Sequence, residues 1–168
     1  MRFVGDLRDA YLGCRTLVAR LHSPLLLAIR LYWGWQFFGT GKGKLMDIQK
    51  VVGFFQSLGI PYPELNARLA GCTECFGGLL LLIGLGGRIF TVPLIFTMCI
   101  AYWTASHDVV VNIFKNPDAF VTADPFLFML AAVIVFLFGP GIFSVDGVLG
   151  ILFKRRAKKE AAMPQARE

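Results

Sequence analysis

Two histidines in 168 residues leave too little imidazole to ligate a haem between helices. No HExxH, nucleophile-elbow or Cys-x-x-Cys-His pattern occurs, and Gly41-Lys-Gly43-Lys lacks the spacing and the preceding strand of a phosphate loop. Charged residues make up only 17% of the chain, against about 25% in soluble domains. Four cysteines in a chain this apolar do not define a disulfide framework. No small-residue cleavage site follows the Arg-bearing N-terminus, so a removable signal is not expected. What the chain has instead is 56% hydrophobic residues, sixteen Phe, eighteen Gly and a mean hydropathy of +0.63. This balance excludes a disordered chain, a collagen and a stapled secreted scaffold. It points to a small polytopic membrane protein.

A transmembrane helix needs about 20 mostly apolar residues. Four stretches qualify: Pro24–Gly41, Leu65–Gly86, Arg88–Ser106 and Pro125–Phe143. The expected fold class is therefore an all-α membrane protein, a four-transmembrane-helix bundle. Within Lys42–Glu64, the run MDIQKVVGFFQSLGI places Met46, Ile48, Val51, Val52, Phe54, Phe55 and Leu58 on one broad helical face. That pattern predicts an interfacial amphipathic helix, ended by Gly59-Ile-Pro61-Tyr-Pro63. A shorter loop, His107–Asp124, joins the third and fourth spans. After Gly139-Pro140-Gly141, Ser144-Val-Asp146 can cap a second short interfacial helix, Val145–Phe153. The organisation expected is an N-terminal segment 1–23, a membrane domain 24–153 and a basic tail 154–168.

Lys and Arg number eleven on the side of the termini and the 86–88 turn, and five on the opposite side. The positive-inside bias then puts both termini in the cytoplasm of a multi-pass plasma (inner) membrane protein. The net charge of +6 is read as topology and attraction to anionic lipid, not as a nucleic-acid footprint.

Three blocks carry a family pattern. RLYWGWQFFGTGKGKL (Arg30–Leu45) resembles the opening of the DoxX family. AGCTECFGGLLLLIGLGGR (Ala70–Arg88) is similar to its Glu, paired Gly, Leu-rich run and closing Arg, and FGPGIFSVD (Phe138–Asp146) to its terminal element. The resemblance spans Leu25 to Leu152. It implies a four-helix inner-membrane bundle near membrane redox chemistry. Some relatives are membrane subunits of thiosulfate:quinone oxidoreductases, and others are linked to oxidative-stress complexes or metal-binding peptides. Fold transfers more safely than function in so mixed a family.

Charges inside spans cost about 2.5–3.5 kcal/mol each on insertion scales, so they pair or serve a pathway. Arg30 and Glu74 enter from opposite leaflets at depths expected to differ by a few ångströms. They are expected to form a buried ion pair, either a structural lock or a ligand- and proton-handling centre. Cys72 and Cys75 flank Glu74 on one helix face and are either small buried residues or a redox or soft-metal pair. Cys14 and Cys99 are expected to be structural. Tyr102, Trp103, His107 and Asp108 form an aromatic belt with a polar cap, or a proton-handling group in which His107 shuttles. Lys44 either snorkels at the interface or meets an anionic head group. Trp33 and Gln36, beside Trp35, Phe37 and Phe38, belong to a wall that faces lipid or lines a slot for a flat isoprenoid head.

The functional expectation is a membrane subunit of redox metabolism, an oxidoreductase subunit at most. Arg30, Glu74 and His107 are its catalytic candidates, with Tyr102, Trp33, Gln36 and Lys44 as substrate contacts. Quinone is the expected cofactor, no metal is expected, and electrons would arrive from a partner redox protein. The bilayer is the first partner, and a homodimer is compatible. The rival reading is a non-catalytic scaffold or assembly factor.

Overall fold

The computed structural model describes the backbone of residues 2–161 and the side chains of residues 21–158. All regular structure among them is helical: α1 Arg2–Met46, α2 Ile48–Ser57, α3 Pro63–Ile83, α4 Gly87–Ala105, α5 His107–Val111, α6 Pro117–Thr122, α7 Pro125–Phe138 and α8 Val145–Ala161. Helix α4 is long and apolar enough to cross a membrane. Helix α7 is apolar but shorter, because Gly139 turns the chain at φ +80° four residues before the expected end of the fourth span.

Helix α1 packs along α3, α3 on α4, α4 on α7, and α7 back on α1. Phe37, Leu81, Leu94, Met98, Ala132 and Val135 fill the space between them. The ring of Phe128 stands edge-on to Phe37 and Trp33 and closes the α1–α7 side.

The α1–α3 seam is made of glycine. Gly34 and Gly41 on α1, like Gly71 and Gly78 on α3, are seven residues apart, two turns, and so share a face. A Cβ at Gly34 would come within 2.8 Å of the Leu82 backbone nitrogen, and one at Gly78 within 2.5 Å of that of Phe38. A Cβ at Gly41 would collide with the Cys75 backbone nitrogen, and one at Gly71 would meet the Leu45 side chain. Backbones this close require that no side chain intervene. Facing residues (34 and 82, 38 and 78, 41 and 75, 45 and 71) have numbers that add to the same total, so the antiparallel register is constant along the whole seam.

Asp47 interrupts the helix after Met46, with φ −120° and ψ 57°. The amphipathic α2 then lies against α3 with Val52 buried. Its end at Leu58 and Gly59 (φ +68°) agrees with the sequence expectation. Two further elements differ from expectation. The loop His107–Asp124 holds the short helices α5 and α6, the latter capped by the Asn116 side chain accepting from the Ala119 amide. Helix α8 runs past Phe153 to Ala161, because Lys, Arg, Ala and Glu sustain a helix once it has started.

Candidate functional site

Arg30 and Glu74 do not meet. On the seam register Arg30 stands opposite residue 86 and Glu74 opposite residue 42. The offset of twelve positions along α1 separates them by about 18 Å along the axis. The expected depth match took Pro24 as the start of the first span, but α1 is already helical from Arg2. The turn after α3 brings Gly84 against the Arg30 guanidinium, so Arg30 lies at the end of the ring where α3 finishes.

There Arg30 is 1% exposed and donates to the carbonyl oxygens of Pro140 and, at 2.7 Å, Phe143. Ser144 Oγ accepts from the Gly147 amide and caps α8. Asp146 serves α4 instead: its carboxylate accepts from the amides of Gly86 (2.9 Å) and Gly87 (3.0 Å). An anion suits the positive end of α4. Arg30, the Gly84–Gly87 turn and the Pro140–Asp146 link thus form one knot, drawn from all three blocks that carry the family pattern.

Glu74 pairs with Lys44 from the neighbouring helix. Glu74 is 1% exposed and the Lys44 side chain 32%. Glu74 Oε2 has no hydrogen-bond partner among the described residues. A buried carboxylate oxygen without a donor is costly, so this one invites a guest or a water.

Two cavities adjoin the pair. The larger, about 580 Å³, lies between α2, α3 and α4 and is walled by Phe54, Phe55, Leu69, Phe96 and Ile100, with Asn66, Thr73 and Thr97 as polar points. The smaller, about 530 Å³, lies between α1, α4 and the start of α7 and has Thr40, Ser106, Thr122 and Asp124 in its wall. Lys44, Phe54, Glu74, Ala101 and Ala105 border both. Ligand sites typically occupy about 300–1,000 Å³ with apolar walls and a few placed polar groups, and the larger cavity has that character.

The other candidates lie elsewhere. Tyr102 is 4% exposed, donates to the Phe120 carbonyl at 2.7 Å and stacks on the Phe120 ring, which ties α4 to α6. His107 is exposed and stands edge-on to the Trp103 ring, away from both cavities. Trp33 packs on Tyr32 and Phe128, and neither it nor Gln36 borders a cavity. Cys72 and Cys75 are half-buried free thiols beside the α1 seam, and Cys99 is exposed. The Cys14 side chain lies outside the described residues. Of the named candidates the structure brings together Lys44 and Glu74 alone.

Sequence reasoning passed over Phe54, Thr73 and Asp124 as site residues. The seven-residue glycine spacing on both helices marks the faces that meet, but the register that sets Glu74 near Lys44 comes only from the packed backbones.

Residues 25–107 match the DoxX family model. The first two of the three blocks fall inside that match, and Phe138–Asp146 lies beyond it. No curated protein and no solved structure matches the chain.

Proposed function

We propose, from the premise that residues 25–107 carry the DoxX family match, that the chain is an integral membrane protein that binds a lipophile beside the Lys44–Glu74 pair. In this reading α1, α3, α4 and α7 are four spans of one bundle in the inner membrane, with both termini cytoplasmic. The ring of contacts among those helices and the bias of Lys and Arg support it. Helix α2 lies along the interface and roofs the larger cavity.

One observation carries the ligand-binding reading: a 1%-exposed carboxylate with an unpartnered oxygen borders an apolar cavity of about 580 Å³. An apolar body fits against Phe54, Phe55, Phe96 and Ile100. A polar head meets an ammonium donor and a carboxylate acceptor side by side. A quinone-type molecule has this construction, with a flat polar head on an isoprenoid body. Redox metabolism is the proposed setting, with electrons supplied by a partner protein. Glu74 is placed to accept a proton from the head, with Lys44 stabilising the charge.

The test is lipid extraction of the purified full-length chain with assay of bound quinone. Quinone should co-purify, and both Lys44→Met and Glu74→Gln should lower it severalfold. If no lipophile is retained and the pair can be replaced with effects on stability alone, the scaffold reading takes its place.

A further inference from the structure

The two cavities that share the Lys44–Glu74 pair open onto different surroundings. Around the larger one, Leu69, Phe96 and Ile100 are 54%, 64% and 43% exposed, an apolar surface suited to lipid tails. The smaller one opens between the end of α4 and the α6–α7 link, at Ser106, Thr122 and Asp124, of which Thr122 and Asp124 are exposed. Its wall sets Thr40, Ser106, Thr122 and Asp124 among apolar residues such as Met98 and Phe128. That end of the molecule suits water.

We infer that the smaller cavity is an aqueous vestibule through which the Lys44–Glu74 pair exchanges protons with solvent, while the larger cavity presents the same pair to a lipophile. The inference rests on the ligand-binding reading given above. Lys44, the more exposed partner, stands between Glu74 and water. A proton released by a hydroxyl-bearing head passes to the Glu74 carboxylate, whose carboxyl then gives it up to vestibule water and re-forms the pair with the Lys44 ammonium, and the proton leaves past Asp124. The charged groups bordering this route are Lys44 from α1, Lys50 from α2 and Asp124 from the α6–α7 link; α4 contributes none. Asp124 is assigned as a positioning residue at the mouth, where its carboxylate attracts protons without touching the guest.

The full-length chain in lipid nanodiscs tests this with two carbodiimides. Either reagent converts the Glu74 carboxylate into an O-acylisourea. The Lys44 amine displaces it, the amide forms and the urea leaves. The protein loses the mass of one water and yields a Lys44–Glu74 cross-linked peptide. Dicyclohexylcarbodiimide arrives through lipid, and a permanently charged carbodiimide arrives through water. Both are expected to form the cross-link. Thr122→Trp narrows the vestibule alone and should slow the charged reagent severalfold while sparing the lipid-soluble one; Thr40→Phe does the same from α1.

If the charged reagent fails on the unaltered protein while dicyclohexylcarbodiimide succeeds, the vestibule is overturned and the lipophile cavity stands. The vestibule also falls if both plugged variants fold and react with the charged reagent at the unaltered rate. If neither reagent reacts, the pair is sealed on both sides and both readings fall.

Discussion

A carboxylate removed from water carries a desolvation cost that a single cation offsets in part, and breaking such a pair costs more than replacing it whole. Glu74 is enclosed while Lys44 keeps a third of its side chain exposed, so the loss on breaking this pair falls below the roughly 3–5 kcal/mol of fully buried ones. Lys44→Met alone should lower the midpoint of thermal unfolding in detergent, and Lys44→Met with Glu74→Gln should recover most of it. Exchanging the charges of Arg30 and Glu74 should give no mutual rescue, because each answers to other neighbours. Arg30 is held by two carbonyl oxygens and Glu74 by an ammonium group. That both charges are buried was legible from their place in apolar runs. Which partner each takes was not, because an antiparallel seam trades one residue of α1 for one of α3, and a misplaced origin displaces every pairing.

The helices themselves are written locally. Pro63, Pro117 and Pro125 stand in the first turns of α3, α6 and α7, where a missing amide costs nothing. Gly59, Gly84 and Gly139 end α2, α3 and α7 with positive φ. Not all glycines in these helices do the same work. Gly41→Ala and Gly78→Ala push a methyl into backbone across the seam and should destabilise by about 1–3 kcal/mol each. A methyl at Gly39 or Gly43 would meet no neighbour within 4 Å, so alanine there should gain up to about 1 kcal/mol from helix propensity. Thermal stability of the four single variants in one detergent checks the contrast. Composition marks all four glycines alike; only the rotation of α1 against α3 separates them.

At the scale of the whole molecule, three chain segments far apart in sequence meet at Arg30, and a second arrangement forms around Glu74 toward the other end. The first holds the ring together through carbonyl acceptors and a capped helix. Each leaves one buried polar atom unpartnered, Arg30 Nε and Glu74 Oε2, but only Glu74 borders the two cavities. The Arg30 knot and the proposed ligand site thus lie toward opposite ends of the same two helices. The proposed topology places the Arg30 knot near the cytoplasm and the α5–α6 connection outside. An alkaline phosphatase fusion at Lys115 should then be active and one at Glu168 inactive; the reverse pattern inverts the molecule.

The sequence by itself determined the helical class, the ends of α2, α3 and α4, the starts of α7 and α8 and the amphipathic character of α2, because hydropathy, periodicity and proline or glycine chemistry act within a few residues. It also carried enough local pattern for the DoxX match over residues 25–107. Tertiary structure alone decided that Lys44 and not Arg30 neutralises Glu74, that Asp146 caps α4 from a distant link, and that Tyr102 is spent on Phe120. Those choices depend on the register and rotation of packed helices, which are settled by the sum of many backbone approaches and not by any one residue.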